Sequence, residues 1–536
     1  MTTRNFAAAA FAAAVIATPA MAQDKDGGDT RTRVTPYIEL SQVLTDDLQT
    51  GDVLTYSSAA VGIDATTQTQ RLTASISARY EHQFTYRKNE SDADLISGAA
   101  QVSAQVARGV SIDAGALATR TRSDIRGAAP VFFGNDDSNI SKVYSGYIGP
   151  TIASGTGPIF INAAYRYGYT KVTTPGAFSL DPGSPRLDLF DREQTQFGTF
   201  STGWKSGTVT PFGVTVSGGF ERDDQNQLDN RFDDVFARGD LVQPVSATVA
   251  LTAGVGYEKI VSSARDPKLD TNGDPVLDAN GRYVTDESSP RRIAYRTDGI
   301  YYDAGVLWRP SPRTSLEAHF GRRYGDWGFT GSFIWAPSKG VGVQVGVYDT
   351  VTTFGSQLQR GIQNLPDQFT ATRDALAQQF AGCTFGTTGG GAAGACLNSA
   401  FQSIATATYR VRGVDAVISM ERGRNTFGVG FGYTNRHFLA PNGSIVNGVT
   451  DQSYYAQVFY SRPIGEHAGF SGDLFFNYYE PGLSSSDIYS FGATGSVYRN
   501  IGHLSVTGSV GYYYFDSQGQ QTQSTLQALL GGRYSF

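Results

Sequence analysis

Catalysis needs convergent groups, such as a histidine held by an acid beside a nucleophile, or several ligands spaced for one ion. The sequence has five histidines in 536 residues, and they stand far apart. His82, His319, His437, His467 and His503 fall on different faces and at different ends of the elements derived below, so neither a hydrolase triad nor a metal site is expected. Asp270-Thr271-Asn272-Gly273-Asp274 resembles the start of a calcium loop, but an EF-hand needs Gly at its sixth position and an acid at its twelfth. Pro275 and Gly281 occupy those places, and Val276–Val284 with Asn280-Gly281 reads as a small hairpin instead. Cys383 and Cys396 share one Gly-rich stretch, which suits a disulfide made in an oxidising compartment. The chemistry-bearing residues thus predict no enzyme and no cofactor, and attention passes to the elements that carry them.

The clearest element is Arg71–Arg87. Leu72, Ala74, Ile76, Ala78, Tyr80, His82, Phe84 and Tyr86 alternate with Thr73, Ser75, Ser77, Arg79, Glu81, Gln83 and Thr85. A period of two over this length is one strand with an apolar and a polar face. It exceeds the five or six residues or so of an ordinary strand and suits a tilted crossing of hydrocarbon. Sixty-three Gly, 29 Tyr and 32 Phe against 3 Met, with a mean hydropathy of -0.25, fit alternating strands rather than apolar helices. The net charge of -6 gives no nucleic-acid footprint.

The same signature recurs along the chain, and its connections alternate in length. Ser123–Asn139, Lys171–Glu193, Val261–Arg292, Phe354–Thr408 and Leu439–Asp451 are long, whereas Arg108-Gly109, Ser154–Pro158, Arg309–Arg313, Gly423–Asn425 and Asn500–Gly502 are short. Long loops outside and tight turns inside predict an all-β, transmembrane, antiparallel up-and-down barrel of about 22 strands, within a range of roughly 18–24. Aromatic residues are expected as two belts. Phe84, Tyr86, Tyr165 to Tyr169, Phe320, Tyr324, Trp327, Tyr433, Tyr478, Tyr512 and Tyr514 lie at outer ends, with Phe212, Trp308, Trp335, Tyr534 and Phe536 at inner ends. Arg322 takes the lipid-facing parity beside the outer belt, so it must snorkel or lie beyond the strand.

Residues 1–22 read as a secretory signal: Arg4, an apolar run Phe6–Ile16, and Ala20-Met21-Ala22 before Gln23. Residues 23–33 form a periplasmic lead-in and 34–536 the barrel, which places the protein in the outer membrane of a Gram-negative envelope. The candidates for pore-lining side chains are Arg71, Arg79, Glu81, Arg166, Glu317, His319 and Arg323, a mixed-sign set compatible with a wet channel or with cross-strand pairing. Within 354–408, Pro366–Phe380 has helical spacing (Phe369, Leu376, Phe380), followed by the two cysteines. This loop could enter the lumen, cap the mouth, or make an ordinary surface excursion, and the last is favoured.

The chain ends Gly531-Gly532-Arg533-Tyr534-Ser535-Phe536, which resembles the terminal signal read by the barrel-assembly machinery, with Gly531, Tyr534 and Phe536 matching and Leu529 in a normally polar place. Leu307–Arg323 and Tyr409–Arg436, with Glu421-Arg422 and the Gly423–Thr426 turn, resemble a family of outer-membrane barrels found beside exopolysaccharide and PEP-CTERM (exosortase) loci. That resemblance implies polysaccharide-export components as partners, besides outer-membrane lipid, and supplies no catalytic residues. The expected function is a porin-like or export channel for small solutes or saccharides, linked to exopolysaccharide secretion. The alternatives are a non-conducting structural or assembly barrel, then a barrel enzyme. A TonB-dependent transporter shares the strand count, but 23–33 is too short for the N-terminal plug such proteins carry.

Overall fold

The computed structural model describes residues 31–86, 93–122, 140–155, 157–174, 189–279, 281–338, 340–365, 369–373, 376, 380–386, 394–397, 404–483, 487–517 and 522–536. The expected signal and most of the lead-in lie outside these residues. Twenty-two antiparallel strands form one closed sheet. In chain order they are β1 (Arg31–Asp47), β2 (Asp52–Gln68), β3 (Leu72–Thr85), β4 (Ala93–Ala107), β5 (Val110–Arg122), β6 (Ile140–Ser154), β7 (Ile159–Thr173), β8 (Arg192–Trp204) and β9 (Gly213–Gln225). They continue with β10 (Arg231–Pro244), β11 (Val249–Ala264), β12 (Arg292–Ser311), β13 (Thr314–Arg323), β14 (Asp326–Ser338), β15 (Val341–Thr352) and β19 (Thr408–Arg422). The last include β20 (Asn425–Leu439), β21 (Thr450–Ile464), β22 (Ala468–Glu480), β23 (Ile488–Ile501), β24 (Leu504–Ser517) and β25 (Gln523–Ser535).

The cylinder closes where β25 pairs antiparallel with β1, from Tyr37↔Ser535 to Asp47↔Thr525, and the Phe536 N–H donates to the Pro36 carbonyl at 3.0 Å. Closure leaves no strand edge to lipid, the condition for backbone amides to survive in hydrocarbon. The barrel is therefore an outer-membrane structure.

Side-chain parity follows the dyad pattern. On β3, Tyr80 and Phe84 are exposed outward, while Arg79, Glu81 and Gln83 are buried inside. The outer belt is a run of touching rings. Tyr433, Tyr454, Tyr478 and Tyr489 on β20 to β23 follow one another at centroid distances of 4.8, 5.8 and 4.8 Å, and Phe320 stacks on Trp327 at 5.1 Å. Of the two alternatives for Arg322, a strand end before it is excluded: it is inside β13, opposite Tyr302 and Trp327, and exposed on the lipid-facing side as expected. One detail differs from expectation. Tyr324 is not part of the lipid belt: at φ 56° in the β13–β14 turn, it packs against the buried Phe232, Ile260 and Val351.

The connection between β15 and β19 contains the only α-helix among the described residues, α1 (Phe354–Gln363), and a small sheet of β16 (Phe369–Arg373), β17 (Phe380–Gly386) and β18 (Gly394–Cys396). The helix expected at Pro366–Phe380 is contradicted at Phe369–Arg373, which is strand β16, while more than half of that stretch lies outside the described residues. It forms earlier, where Phe354, Leu358 and Ile362 make a fully buried i, i+4, i+8 stripe and the Thr353 side chain caps the first turn. Gly355 and Gly361 lower its intrinsic propensity by about 1 kcal/mol each. Tertiary burial therefore makes this helix, and Gly355 is required there: a Cβ would stand 2.5 Å from the Glu193 carboxyl carbon.

A lumen occupied by its own loop

The favoured surface excursion is overturned, because the loop lies inside the barrel. Its three anchors rest on different sectors of the wall. The α1 stripe packs on inward residues Leu117 of β5, Val143 and Tyr147 of β6 and Val172 of β7. Leu376 sits among Val43, Tyr56, Tyr513 and Leu529, where β24 and β25 meet the first strands. The Cys383–Cys396 disulfide, formed across the β17–β18 pair, packs on Val417 of β19 and Tyr455 of β21. Opposite it Gly430 of β20 leaves a socket, since a Cβ there would stand 2.6 and 2.7 Å from the two sulfurs. Leu529, out of place in an assembly signal, is explained by its contact with Leu376.

A polar latch accompanies the first anchor. The Gly355 N–H donates to Glu193 at 3.0 Å, and Gln225 Nε2 donates to the same carboxylate at 3.0 Å. The Thr353 hydroxyl lies between Glu193 and Asp223, 2.7 Å from the latter. Ser356 and Arg360 both donate to Glu221. Glu193, Glu221 and Asp223 project inward from β8 and β9, all buried, and Asp223 Oδ1 has no hydrogen-bond partner. Three buried acids against one arginine are tolerated because donors from the loop fill most of their lone pairs. Sequence reading passed over these acids. Their signal was a charged run on inward parity at the strand ends, together with apolar residues (Leu117, Val143) where a wet lumen would call for polar ones.

The seven pore-lining candidates do not form one site. Arg71 lies in the turn before β3, and its carbonyl accepts from the Gln105 N–H at 2.7 Å. Arg79 bridges Glu39 at 2.8 Å and Glu81 at 3.0 Å, and Glu81 also accepts from Gln83. Arg166 binds Asp113 at 2.7 Å and the Pro150 carbonyl at 2.8 Å. Glu317, His319 and Asp303 form a chain at 3.0 and 2.9 Å, and Arg238 joins Asp303 at 2.5 Å. Arg323 pairs with Glu258 and stacks over Tyr301 at 5.0 Å. Six of the seven thus belong to networks that brace the inner wall, with Arg79, Arg166 and Arg323 each reaching the second strand over. Along β10 to β13 these bracing groups remain wetted, with Arg238, His319 and Asp303 keeping 19, 17 and 14% of their side chains exposed. A cavity of about 80 Å³ lies beside them.

The remaining histidines stay scattered: His82 and Tyr80 share Asp94, His437 meets Thr450, and His503 meets the Ser535 carbonyl. Among the described residues, no group of three or more His, Cys, Asp or Glu could hold a metal. The Asp270 carboxylate serves its own turn, accepting from the N–H groups of Asp274 and Asn272 at 2.9 and 2.8 Å, which holds it below the usual range. The expected hairpin follows, with Leu277 bridged to Tyr283.

Above the loop, the outer mouth opens into a cavity of about 1020 Å³. Its floor includes Ile404, Ala405 and Ala407, the returning end of the lumen loop. Its walls come from residues 264–294 and 438–451 and from the turn after β22. Asn230 Nδ2 donates to the Thr406 carbonyl at 2.7 Å, and the Ser262 and Thr408 hydroxyls meet at 2.7 Å, which fixes that floor to the wall.

Fold and site together define an outer-membrane β-barrel whose lumen is occupied by a loop from its own outer rim. No family model matches the chain, and no curated protein matches it. Among solved structures it is similar to the FrpB iron transporter of Neisseria meningitidis, at 10% identity and TM-score 0.44, with 94% of this chain and 82% of that one covered. It is also similar to the ferric-catecholate import receptor Fiu of E. coli K12 (8% identity, TM-score 0.47, 93% and 81% covered). A third is the siderophore receptor PiuA of Acinetobacter baumannii (9%, 0.41, 93% and 82%).

Proposed function

We propose that the barrel passes a small solute across the outer membrane, with the loop between β15 and β19 as its gate. The observation that carries this reading is the latch of Thr353, Gly355, Ser356 and Arg360 on Glu193, Glu221 and Asp223. It holds α1 to the wall through polar contacts that water can replace, and Ile404, in the same buried cluster as α1, lines the outer vestibule. The wetted β10–β13 sector marks the side along which the path runs. Export of a polysaccharide, raised by the sequence resemblance, would require the loop to leave the lumen entirely. A permanently closed structural barrel is the rival, favoured by the disulfide and by the fully buried α1 stripe.

Planar-bilayer recordings with the loop present and with residues 354–403 replaced by a short linker test the reading. The expected result is small or intermittent conductance in the full chain and a large steady conductance after replacement. Silence from both, with each barrel folded by heat-modifiability on gels, refutes it.

A further inference from the structure

The vestibule is a built cavity, and its lining specifies a ligand class. Its volume of about 1020 Å³ stands at the top of the roughly 300–1,000 Å³ typical of small-molecule sites. The apolar lining is aliphatic, with Leu269, Ile404, Leu439, Ile445, Val446 and Leu483 prominent. Its described charged groups other than Lys268 are already engaged. Arg265 binds Asp229 at 2.9 Å and the Glu287 carbonyl at 3.0 Å, and Arg292 binds Asp266 at 2.9 Å. Asp451 takes Arg436 at 2.6 Å and Tyr479 at 2.8 Å. Asp286 accepts from the Ser288 hydroxyl at 2.6 Å and N–H at 3.0 Å, with Lys268 nearby. A cation would have to break these pairs, and an anion would meet only Lys268, whose charge already acts on the Asp286 carboxylate.

Of the three lining aromatics, Tyr283, Phe438 and Tyr479, the last two are similarly committed. Phe438 is covered by the Arg436 guanidinium at 5.4 Å and by Tyr409 at 5.7 Å, and Tyr479 is buried with its hydroxyl on Asp451. Sugar rings are held by stacking on open aromatic faces and by free acids or amides, so the lining, with Tyr283 as its one remaining ring, disfavours a saccharide. Ile404 ties the cavity to the gate, since it belongs to the same buried cluster as Phe354, Leu358 and Ile362 of α1.

We infer that the outer vestibule binds an uncharged, largely aliphatic or aromatic small molecule, and that this molecule is the solute the gate admits. The second half rests on the passage reading; the first does not. A bound molecule touching Ile404 contacts one end of the apolar core that docks α1, so occupancy and docking are coupled through shared packing.

The test uses the full chain in lipid nanodiscs, with empty nanodiscs as background. The probes are the neutral fluorophore phenylnaphthylamine and its anionic relative anilinonaphthalene sulfonate. The neutral probe is expected to bind saturably at one site per barrel and to be displaced by a medium-chain alcohol but not by a malto-oligosaccharide. Leu269→Asp and Ile445→Asp place a charge in the lining at side chains 55% and 48% exposed, so folding is spared. Each should weaken the neutral probe on the order of tenfold. Equal binding of the anionic probe, displacement by the oligosaccharide, or unchanged affinity in both variants overturns the inference. Neutral-probe binding that behaves as expected beside a silent loop-deleted barrel upholds the vestibule site and sinks only the passage reading.

Discussion

Leu358→Ala is the substitution that reads the gate most directly. The side chain is fully buried between Phe354 and Ile362, facing the inner wall of β5 to β7. Truncating such a leucine removes its transfer free energy and leaves a cavity, a combined loss of about 2–5 kcal/mol. The barrel does not depend on this residue for strand pairing, so the loss falls on docking of the loop. It should lower the docked-to-undocked ratio by a factor of about 30 to several thousand. Ile362→Val removes one methylene and should cost about 0.5–1.5 kcal/mol, or about 2- to 13-fold, which gives a graded pair. The assay is single-channel open probability in planar bilayers, with heat-modifiability confirming that each barrel is folded. Open probability should rise in the order wild type, Ile362→Val, Leu358→Ala. A folded Leu358→Ala barrel that conducts like wild type would show that α1 docking does not control the lumen.

Arg79→Ala leaves Glu39 and Glu81 facing each other without their buried cation, and should cost about 3–5 kcal/mol, read as a lower urea midpoint for barrel unfolding in liposomes. Arg71→Ala, in an exposed turn, should stay within about 0.5 kcal/mol in the same assay. Gly430→Val fills the socket opposite the disulfide, and should speed reduction of Cys383–Cys396 by dithiothreitol in the folded barrel; an unchanged rate would mean the pair does not rest on that wall. Deleting Phe536 removes the aromatic that packs on Tyr534 at 5.1 Å and the last hydrogen bond of the β25–β1 seam. The yield of heat-modifiable protein in outer membranes should fall, and full yield would show the terminal residue is dispensable for assembly.

Much of the barrel was legible in the chain because each strand meets lipid on one face and protein or water on the other. That local demand writes a period of two into every segment, as at Arg71–Arg87, and the constraint that edges be closed turns repeated segments into a cylinder. Belt residues such as Tyr433 and Tyr478 were placed correctly for the same reason: their position depends on height in the membrane, which strand direction sets. Tyr324 escaped the rule because a left-handed residue in a tight turn redirects its side chain, which alternation cannot foresee.

The lumen was decided by contacts between residues far apart in sequence. Nothing local marks Glu193, Glu221 and Asp223, and only the fold brings Thr353, Ser356 and Arg360 against them from more than a hundred positions away. Helix α1 contains two glycines and has little local preference to form. It exists because Leu117, Val143, Tyr147 and Val172 supply an apolar wall for Phe354, Leu358 and Ile362. Alternating hydropathy thus determined that this chain spans a membrane as strands. Whether the space inside those strands is open or occupied depended on which distant side chains meet, and only the tertiary structure records that.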